Sequence, residues 1–410
     1  MRTLSILRRN FRKLVVKLVG MFLPQNFLVV TRNVLDGMRA EPWRHSTNSS
    51  QGLSDSAERA LEWICWSQDK VGSGGVGSYD FSGWSRGYPE VTGYIIPTVW
   101  DYARYTQRDG LRERAIRMAD WLLSIQDAEG GWEGGDEGDG LPPLVFNTGQ
   151  VIRGLLRTHT ETDDPRYLDA ACRASDWIVS VQDDDGSWTT ANHLGLKRVY
   201  DSYVAAPLSS VSLIDGDKKY AAAAKRNCEF VLKHQLQNGW FALCDNSPDF
   251  LEAPITHAIC YTADGLIETG QLLGEASYVA AGKRAADAMA VQAEPAGYLS
   301  GRFDENWRPR VGWVCLTGSA QLGIILMKLY RATGESRYIA IAERILGFLR
   351  HVQGLNAVGR SRSGAIPGSY PIWGPYAPFR FPCWATKYYL DLLFLVLVTK
   401  EARVGSTASA

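Results

Sequence analysis

The sequence predicts an all-α fold, an (α/α)6 toroid in which six helical hairpins build two concentric rings. Three observations predict it. A helical pattern closing on a glutamine occurs six times, at Gln68, Gln126, Gln182, Gln235, Gln292 and Gln353. Those glutamines lie 53 to 61 residues apart, enough for two helices per repeat. Between them lies a second, more apolar set of helical segments near residues 91–106, 146–160, 200–213, 255–272, 314–332 and 383–398. Placing the apolar set inside and the more charged set outside buries both faces of the inner helices. Six copies suffice to close a ring, so a closed toroid is expected over an open solenoid.

The chain divides into an arm at 1–35, a polar linker at 36–52, the toroid at 53–400 and a disordered tail at 401–410. The arm has no acidic residue and begins with Arg2, Arg8, Arg9, Arg12, Lys13 and Lys17. Leu4, Leu7, Phe11, Leu14, Leu18 and Phe22 recur at helical spacing, which predicts a basic amphipathic helix ending near Pro24. Residues 1–23 would lie on an anionic membrane surface or pack on the toroid. Lys17 interrupts the apolar segment, which argues against an export signal.

Composition narrows the function. The 410 residues are 45% hydrophobic and 21% charged, with 44 basic against 44 acidic side chains. The balance excludes a globally basic nucleic-acid binder, and no apolar run reaches the length of a membrane-spanning helix. Seven scattered cysteines without a CxxC pair suit a reducing compartment, so a cytoplasmic location, peripheral at the inner membrane, is expected.

Connections from inner to outer helices are brief, as at 161–165 and 215–218, whereas the returning connections are long and rich in Gly and Trp. The long loops and the N-termini of the inner helices share one rim, and the pocket is expected at that mouth. His257 begins an inner helix and Tyr261 follows one turn later on the same face, a pair suited to proton transfer beside a carbonyl or a uronate. Asn147, Gln150 or Arg302 would then neutralise the substrate carboxylate. Asn192-His193 with Arg198 and Tyr200 forms a second cluster of alginate-lyase-like residue types in a rim loop. Hydrolysis would instead use two carboxyl groups, with Glu90 as acid or base and Asp304 its partner; Asp201 is a third candidate. Tyr94, Tyr200, Trp313, Tyr370, Trp373 and Trp384, together with Lys387, offer rings and a cation for binding sugars. No cofactor is expected, and no metal: His257, Cys315 and Cys383 all sit near inner-helix starts, but Val314 separates Trp313 from Cys315, unlike the zinc-binding toroids.

Trp177, Gln182 and Gly186-Ser187-Trp188, with Trp121, Gln126 and Gly131-Trp132, resemble the QW repeats of terpenoid cyclase toroids. A second resemblance covers nearly the whole toroid. Its stretches are Pro89-Glu90-Val91-Thr92-Gly93-Tyr94, Phe146-Asn147-Thr148-Gly149-Gln150, Thr256-His257, Gly301-Arg302-Phe303-Asp304, Cys315-Leu316-Thr317-Gly318, Gly368-Ser369-Tyr370-Pro371-Ile372 and Trp384-Ala385-Thr386-Lys387. In these the chain is similar to bacterial toroid proteins encoded with exopolysaccharide and capsule biosynthesis genes; Cys383 stands where that group often has Asn. The resemblance implies a glycan context: a polysaccharide or a lipid-linked oligosaccharide as partner, and an enzyme cleaving a glycosidic bond or modifying a uronate by C5-epimerisation. A terpenoid cyclase and a non-catalytic glycan-binding protein are the alternatives, although no Asp-x-Asp-Asp motif falls on an inner helix.

Overall fold

The structure, a computed structural model, describes residues 23–38 and 48–408. Helix α1 (Pro24–Gly37) precedes twelve helices that alternate between two rings. The outer ring is α2 (Ser50–Val71), α4 (Asp109–Ser124), α6 (Pro165–Ser180), α8 (Lys218–Lys233), α10 (Ala276–Ala293) and α12 (Ser336–Leu355). The inner ring is α3 (Pro89–Thr106), α5 (Val145–Thr162), α7 (Ser202–Asp215), α9 (Thr256–Leu273), α11 (Leu316–Thr333) and α13 (Cys383–Ala408). Among the described residues no helix is long and apolar enough to cross a membrane.

Hairpin geometry follows from the turns. Five inner helices end in a left-handed residue, at Gln107, Asp163, Gly216, Gly274 and Gly334, and the N-cap position of the next outer helix follows one residue later, with Asp164 and Asp217 capping by their side chains. A left-handed residue stops the helix while its N–H still pairs with a carbonyl of the last turn, so the chain reverses tightly. Where α3 and α5 cross, a Cβ on Gly154 would lie 2.3 Å from the carbonyl oxygen of Gly93. Only glycine admits that approach.

The ring closes. Tyr102 of α3 donates to the Leu390 carbonyl of α13 at 3.0 Å, and Thr98 donates to Asp391 at 2.6 Å. At the rim, β1 (Tyr79–Asp80) pairs with both β2 (Gly83–Trp84) and β5 (Arg380–Phe381), joining the first long loop to the last. A second small sheet pairs β3 (Val314–Cys315) with β4 (Ser369–Tyr370).

The repeated glutamines bind the outer ring. In five copies, those of Gln68, Gln126, Gln182, Gln235 and Gln353, the side-chain amide donates to a glycine carbonyl in its own loop and to a carbonyl of the next outer helix. Gln126 reaches Gly130 at 2.9 Å and Ala170 at 3.0 Å, and Gln182 reaches Gly186 at 3.1 Å and Ala223 at 3.0 Å. Gln353 reaches Gly364 at 2.9 Å and Ser56 at 3.0 Å, so the same device ties the last outer helix to the first. Trp132 and Trp188 donate to Leu122 and Ile178 of the preceding outer helix, both at 2.9 Å. In the fifth copy Arg344 reaches the Glu294 carbonyl instead.

The ends of the chain differ from expectation. The basic helix expected before Pro24 lies outside the described residues, and Pro24 itself opens α1, since proline fits the first turn of a helix as readily as it stops one. Helix α13 continues past residue 400 to Ala408, into the segment expected to be a disordered tail.

Candidate functional site

The inner helices present their first residues at the rim, and four of the long loops fold over them. Between them lies a cavity of about 210 Å3 lined by Tyr88, Glu90, Asn147, Asn192, His193, Tyr200, Asn246, His257 and Tyr261, with Gly134, Leu144 and Phe146. Seven residues that the sequence singles out meet here: Glu90 from α3, Asn147 from α5, Asn192, His193 and Tyr200 ahead of α7, and His257 and Tyr261 from α9.

Among the described residues Glu90 is the only carboxyl lining this cavity, and it has no ion-pair partner. Protein surrounds it, while one part of its surface stays open to the cavity. Burial lifts its pKa from 4.5 to about 7, against the hydrogen bond that Tyr88 donates to Oε2 at 2.7 Å. An ionised Glu90 would be surrounded by phenols: its charge raises the pKa of Tyr88, Tyr94, Tyr200, Tyr261 and Tyr376, on top of the larger effect of burial. A carboxyl that titrates near neutrality is suited to proton transfer.

His257 is buried, and its Nδ1 lies 3.0 Å from Oε1 of Gln321. With that amide oxygen as acceptor, Nδ1 carries the proton and Nε2 keeps its lone pair. Burial lowers the imidazole pKa to about 4, partly offset by Gln321, so the ring is neutral at pH 7. Its ring packs against Tyr261 at 4.3 Å and Tyr376 at 5.5 Å between centroids. Trp384 completes that wall, donating from Nε1 to the Tyr376 hydroxyl at 2.8 Å and meeting Tyr88 edge-on at 6.4 Å.

Amides supply the rest. Asn147 Nδ2 donates to the Glu133 carbonyl at 3.3 Å and approaches the Tyr88 hydroxyl at 3.5 Å. Asn192 donates to buried Asp201 at 2.6 Å. Burial lifts the Asp201 carboxyl to about 7, with Asn192 and then Arg198 opposing, and Asp201 sits behind Asn192, off the cavity wall. His193 has a pKa below the usual imidazole value through partial burial and the nearby Arg198 guanidinium.

Other expected site residues lie elsewhere. Asp304 does not reach the cavity: it folds onto its own turn, accepting from the N–H groups of Asn306 at 3.0 Å and Arg308 at 2.9 Å. Partial burial pushes its pKa up, but those N–H groups and Arg310 outweigh it and hold it below the usual value. Arg302 is spent on Asp245, which is 1% exposed, at 2.8 Å, and on the Ala253 carbonyl at 2.8 Å. Gln150 is fully buried, donating to Phe146 and accepting from Arg153. Trp313 and Tyr370 line a separate groove of about 490 Å3 on the same rim, and Trp373 is 40% exposed. Cys383 is buried 3.5 Å from the Ser78 hydroxyl. Among the described residues no three His, Cys, Asp or Glu side chains converge as they would around a metal ion.

Tyr94 and Lys387 face the opposite end of the toroid, one helical turn deeper than Glu90 and Cys383. A larger space of about 680 Å3 opens there, on the side of the tight turns and not of the long loops, where the sequence places the pocket. Its walls are ion pairs: Arg153 with Glu268 at 2.7 Å, Lys328 with Asp264 at 2.6 Å, Arg157 with Asp101 at 2.8 Å and Lys387 with Asp391 at 2.7 Å. Rings packed edge-on and tilted separate the two spaces, with centroids of Tyr261 5.0 Å from Phe146, 4.7 Å from Tyr203 and 6.0 Å from Tyr388, and Tyr388 5.7 Å from Tyr94.

Sequence reasoning misses Gln321 and the role of Tyr88. Tyr88 reads there only as one of the aromatics concentrated in the rim loops and helix starts, although its place two residues before Glu90 is a local signal. Gln321 is 64 residues from His257 and only packing joins them.

No family model matches the chain. A copalyl diphosphate synthase from Streptomyces cyslabdanicus is 34% identical over 91 residues, 22% of this chain; the matched stretch spans only 16% of that relative's length. Among solved structures, the chain is similar to the unsaturated glucuronyl hydrolase responsible for glycosaminoglycan degradation from Bacillus sp. GL1, with a TM-score of 0.67 and 16% identity over 83% of this chain and 96% of that one. A heparin-specific unsaturated glucuronyl hydrolase gives 0.65 and 13% over 86% and 99%, and a polysaccharide lyase gives 0.63 and 13% over the same shares. At these identities the likeness establishes the fold: this chain is an (α/α)6 toroid of the kind on which those enzymes are built.

Proposed function

We propose that residues 53–400 form an enzyme that cleaves a glycosidic bond in a uronate-containing polysaccharide or its lipid-linked repeat, by β-elimination in the long-loop cavity. One observation carries the reading: Glu90 is the single carboxyl of the cavity, poised to titrate near pH 7 and facing a neutral histidine. Nε2 of His257 takes the C5 proton, the bond from C4 to the glycosidic oxygen breaks as the C4–C5 double bond forms, and protonated Glu90 gives its proton to the departing oxygen. Asn147, Asn246 and His193 line the cavity and would hold the uronate carboxylate by hydrogen bonds, while both amide hydrogens of Asn192 are taken by the Trp188 carbonyl and Asp201.

With Asp304 remote, the cavity lacks the two facing carboxyl groups that ordinary glycoside hydrolysis uses. A volume of about 210 Å3 is below the roughly 300–1,000 Å3 of sites for larger ligands, and suits one sugar ring at a chain end. The shared fold with glucuronyl hydrolases and a polysaccharide lyase supports a glycan substrate. The resemblance to toroids encoded with exopolysaccharide and capsule genes supports a surface polysaccharide handled in the cytoplasm. The cyclase alternative rests on the 91-residue likeness to a copalyl diphosphate synthase and on the repeat, whose glutamines and tryptophans hold the scaffold and do not line the cavity.

The test is incubation of the purified protein with uronate-containing oligosaccharides while ultraviolet absorbance is followed. Elimination yields an absorbing unsaturated product, lost in Glu90→Gln and His257→Ala. A new reducing end without absorbance would move the assignment to hydrolysis, and inertness toward all such glycans would remove it.

A further inference from the structure

Helix α1 is inverted relative to an ordinary surface helix. Its inward face is polar apart from Val29, which is fully buried: Asn33 donates to Asn356 Oδ1 at 3.2 Å and accepts from the Ile372 N–H at 3.2 Å, while Asp36 meets Tyr370 and His351, each at 2.9 Å. Arg362 reaches Asn26 from the same loop. Its outward face is apolar, with Leu23, Phe27, Leu28, Val34, Leu35 and Met38 all exposed, Phe27 by 64% and Met38 by 79%. Polar anchors fix the helix in place and leave its apolar stripe without cover from the described residues.

These anchors belong to the rim end of α12 and to the last long loop, so α1 lies on the side of the mouth. The same rim carries isolated exposed apolar side chains at four loops: Leu141, Leu194, Phe250 and Trp373. The 22 residues ahead of Leu23 contain Arg2, Arg8, Arg9, Arg12, Lys13 and Lys17 and no acid. An exposed apolar stripe joined to a basic segment is the chemistry that holds a helix in the headgroup region of an anionic bilayer. A protein partner would need a contiguous complementary surface, whereas separate loop tips each insert into a fluid interface without one.

We infer that α1, with the rim loops beside it, docks this protein onto the surface of an anionic lipid bilayer. Docking by this face brings the mouth of the toroid to the membrane, where a lipid-anchored glycan would meet it. That consequence rests on the reading of the cavity given above; the docking does not.

Co-sedimentation of the full chain with vesicles tests it, comparing phosphatidylglycerol–phosphatidylcholine mixtures with phosphatidylcholine alone. Binding is expected to the anionic vesicles and to weaken with salt. Phe27→Glu with Leu35→Glu is expected to weaken it by about ten-fold or more while the melting temperature stays unchanged. Absence of binding to anionic vesicles, or equal binding by the double variant, would overturn the inference. So would a lower melting temperature or an altered oligomeric state in that variant, because the stripe would then be covered by this chain or by a second copy. Vesicle binding needs no turnover, so its failure is distinguishable from failure of the proposed activity.

Discussion

Tyr88 and Glu90, two residues apart at the start of α3, are joined by a 2.7 Å hydrogen bond from the phenol to the carboxylate, at the edge of a cavity in which Glu90 is the sole acid. The bond favours the ionised carboxylate, and burial opposes it more strongly. The balance leaves Glu90 titrating at about 7, and this sets the expected behaviour of the site.

Activity is expected to follow a bell against pH. The base is competent once His257 has lost its proton, above about 4, and the acid is competent while Glu90 keeps its own, below about 7. The kcat/KM profile of the wild-type protein measures both limbs. A plateau that continued to pH 9 would exclude Glu90 as the acid.

Replacing Glu90 with Gln is expected to reduce kcat by about 10²–10⁴-fold while Asp304→Asn leaves it within about two-fold. Stability moves in the other direction. A carboxyl raised from 4.5 to about 7 contributes its full stabilisation below pH 4.5, and loses it as pH rises through 7. Above pH 8 the Gln variant, free of that loss, is expected to be more stable than wild type by on the order of 3 kcal/mol. At pH 4 the two should melt together. Thermal unfolding at both pH values reads the difference.

Tyr88→Phe removes the group that holds the Glu90 pKa down. The alkaline limb of the profile is expected to move upward by about half a unit to one unit, with kcat at pH 6 little changed. A downward shift would show that Tyr88 acts in another way.

Gln353→Ala is expected to destabilise the fold by roughly 2–4 kcal/mol, since it strands the buried Ser56 and Gly364 carbonyls and the Tyr389 hydroxyl, which donates to Gln353 at 3.1 Å. Gln126 makes a comparable bridge in a less buried place and should cost less on replacement. Urea denaturation of the two variants compares them.

Arg302→Ala is expected to cost roughly 3–5 kcal/mol of stability, because Asp245 would remain buried without its cation. In the double variant with Asp245→Asn, which removes the stranded charge, stability should return in part, and KM in the folded fraction should match wild type. A large KM effect in a fully folded variant would restore Arg302 as a substrate anchor.

The sequence by itself determined the ring. The spacing of Gln68, Gln126, Gln182, Gln235 and Gln353 is the spacing of physical bridges between outer helices, and the brief connections are turns closed by single left-handed residues. Period and turn chemistry are local, so they can be read along the chain. It also placed Glu90, Asn147, Tyr200, His257 and Tyr261 at one mouth, because residues at the starts of inner helices must share a rim. Tertiary structure alone decided which of the remaining candidates turn toward the cavity. Tyr94 and Lys387 sit one turn too deep and open onto the far side of a tyrosine partition, Arg302 is drawn to a buried aspartate 57 residues away, and Asp304 is held by the N–H groups of its own turn. Each of those outcomes depends on where a polar side chain finds its partner after packing, and a partner brought from a distant repeat leaves no mark in the neighbouring sequence.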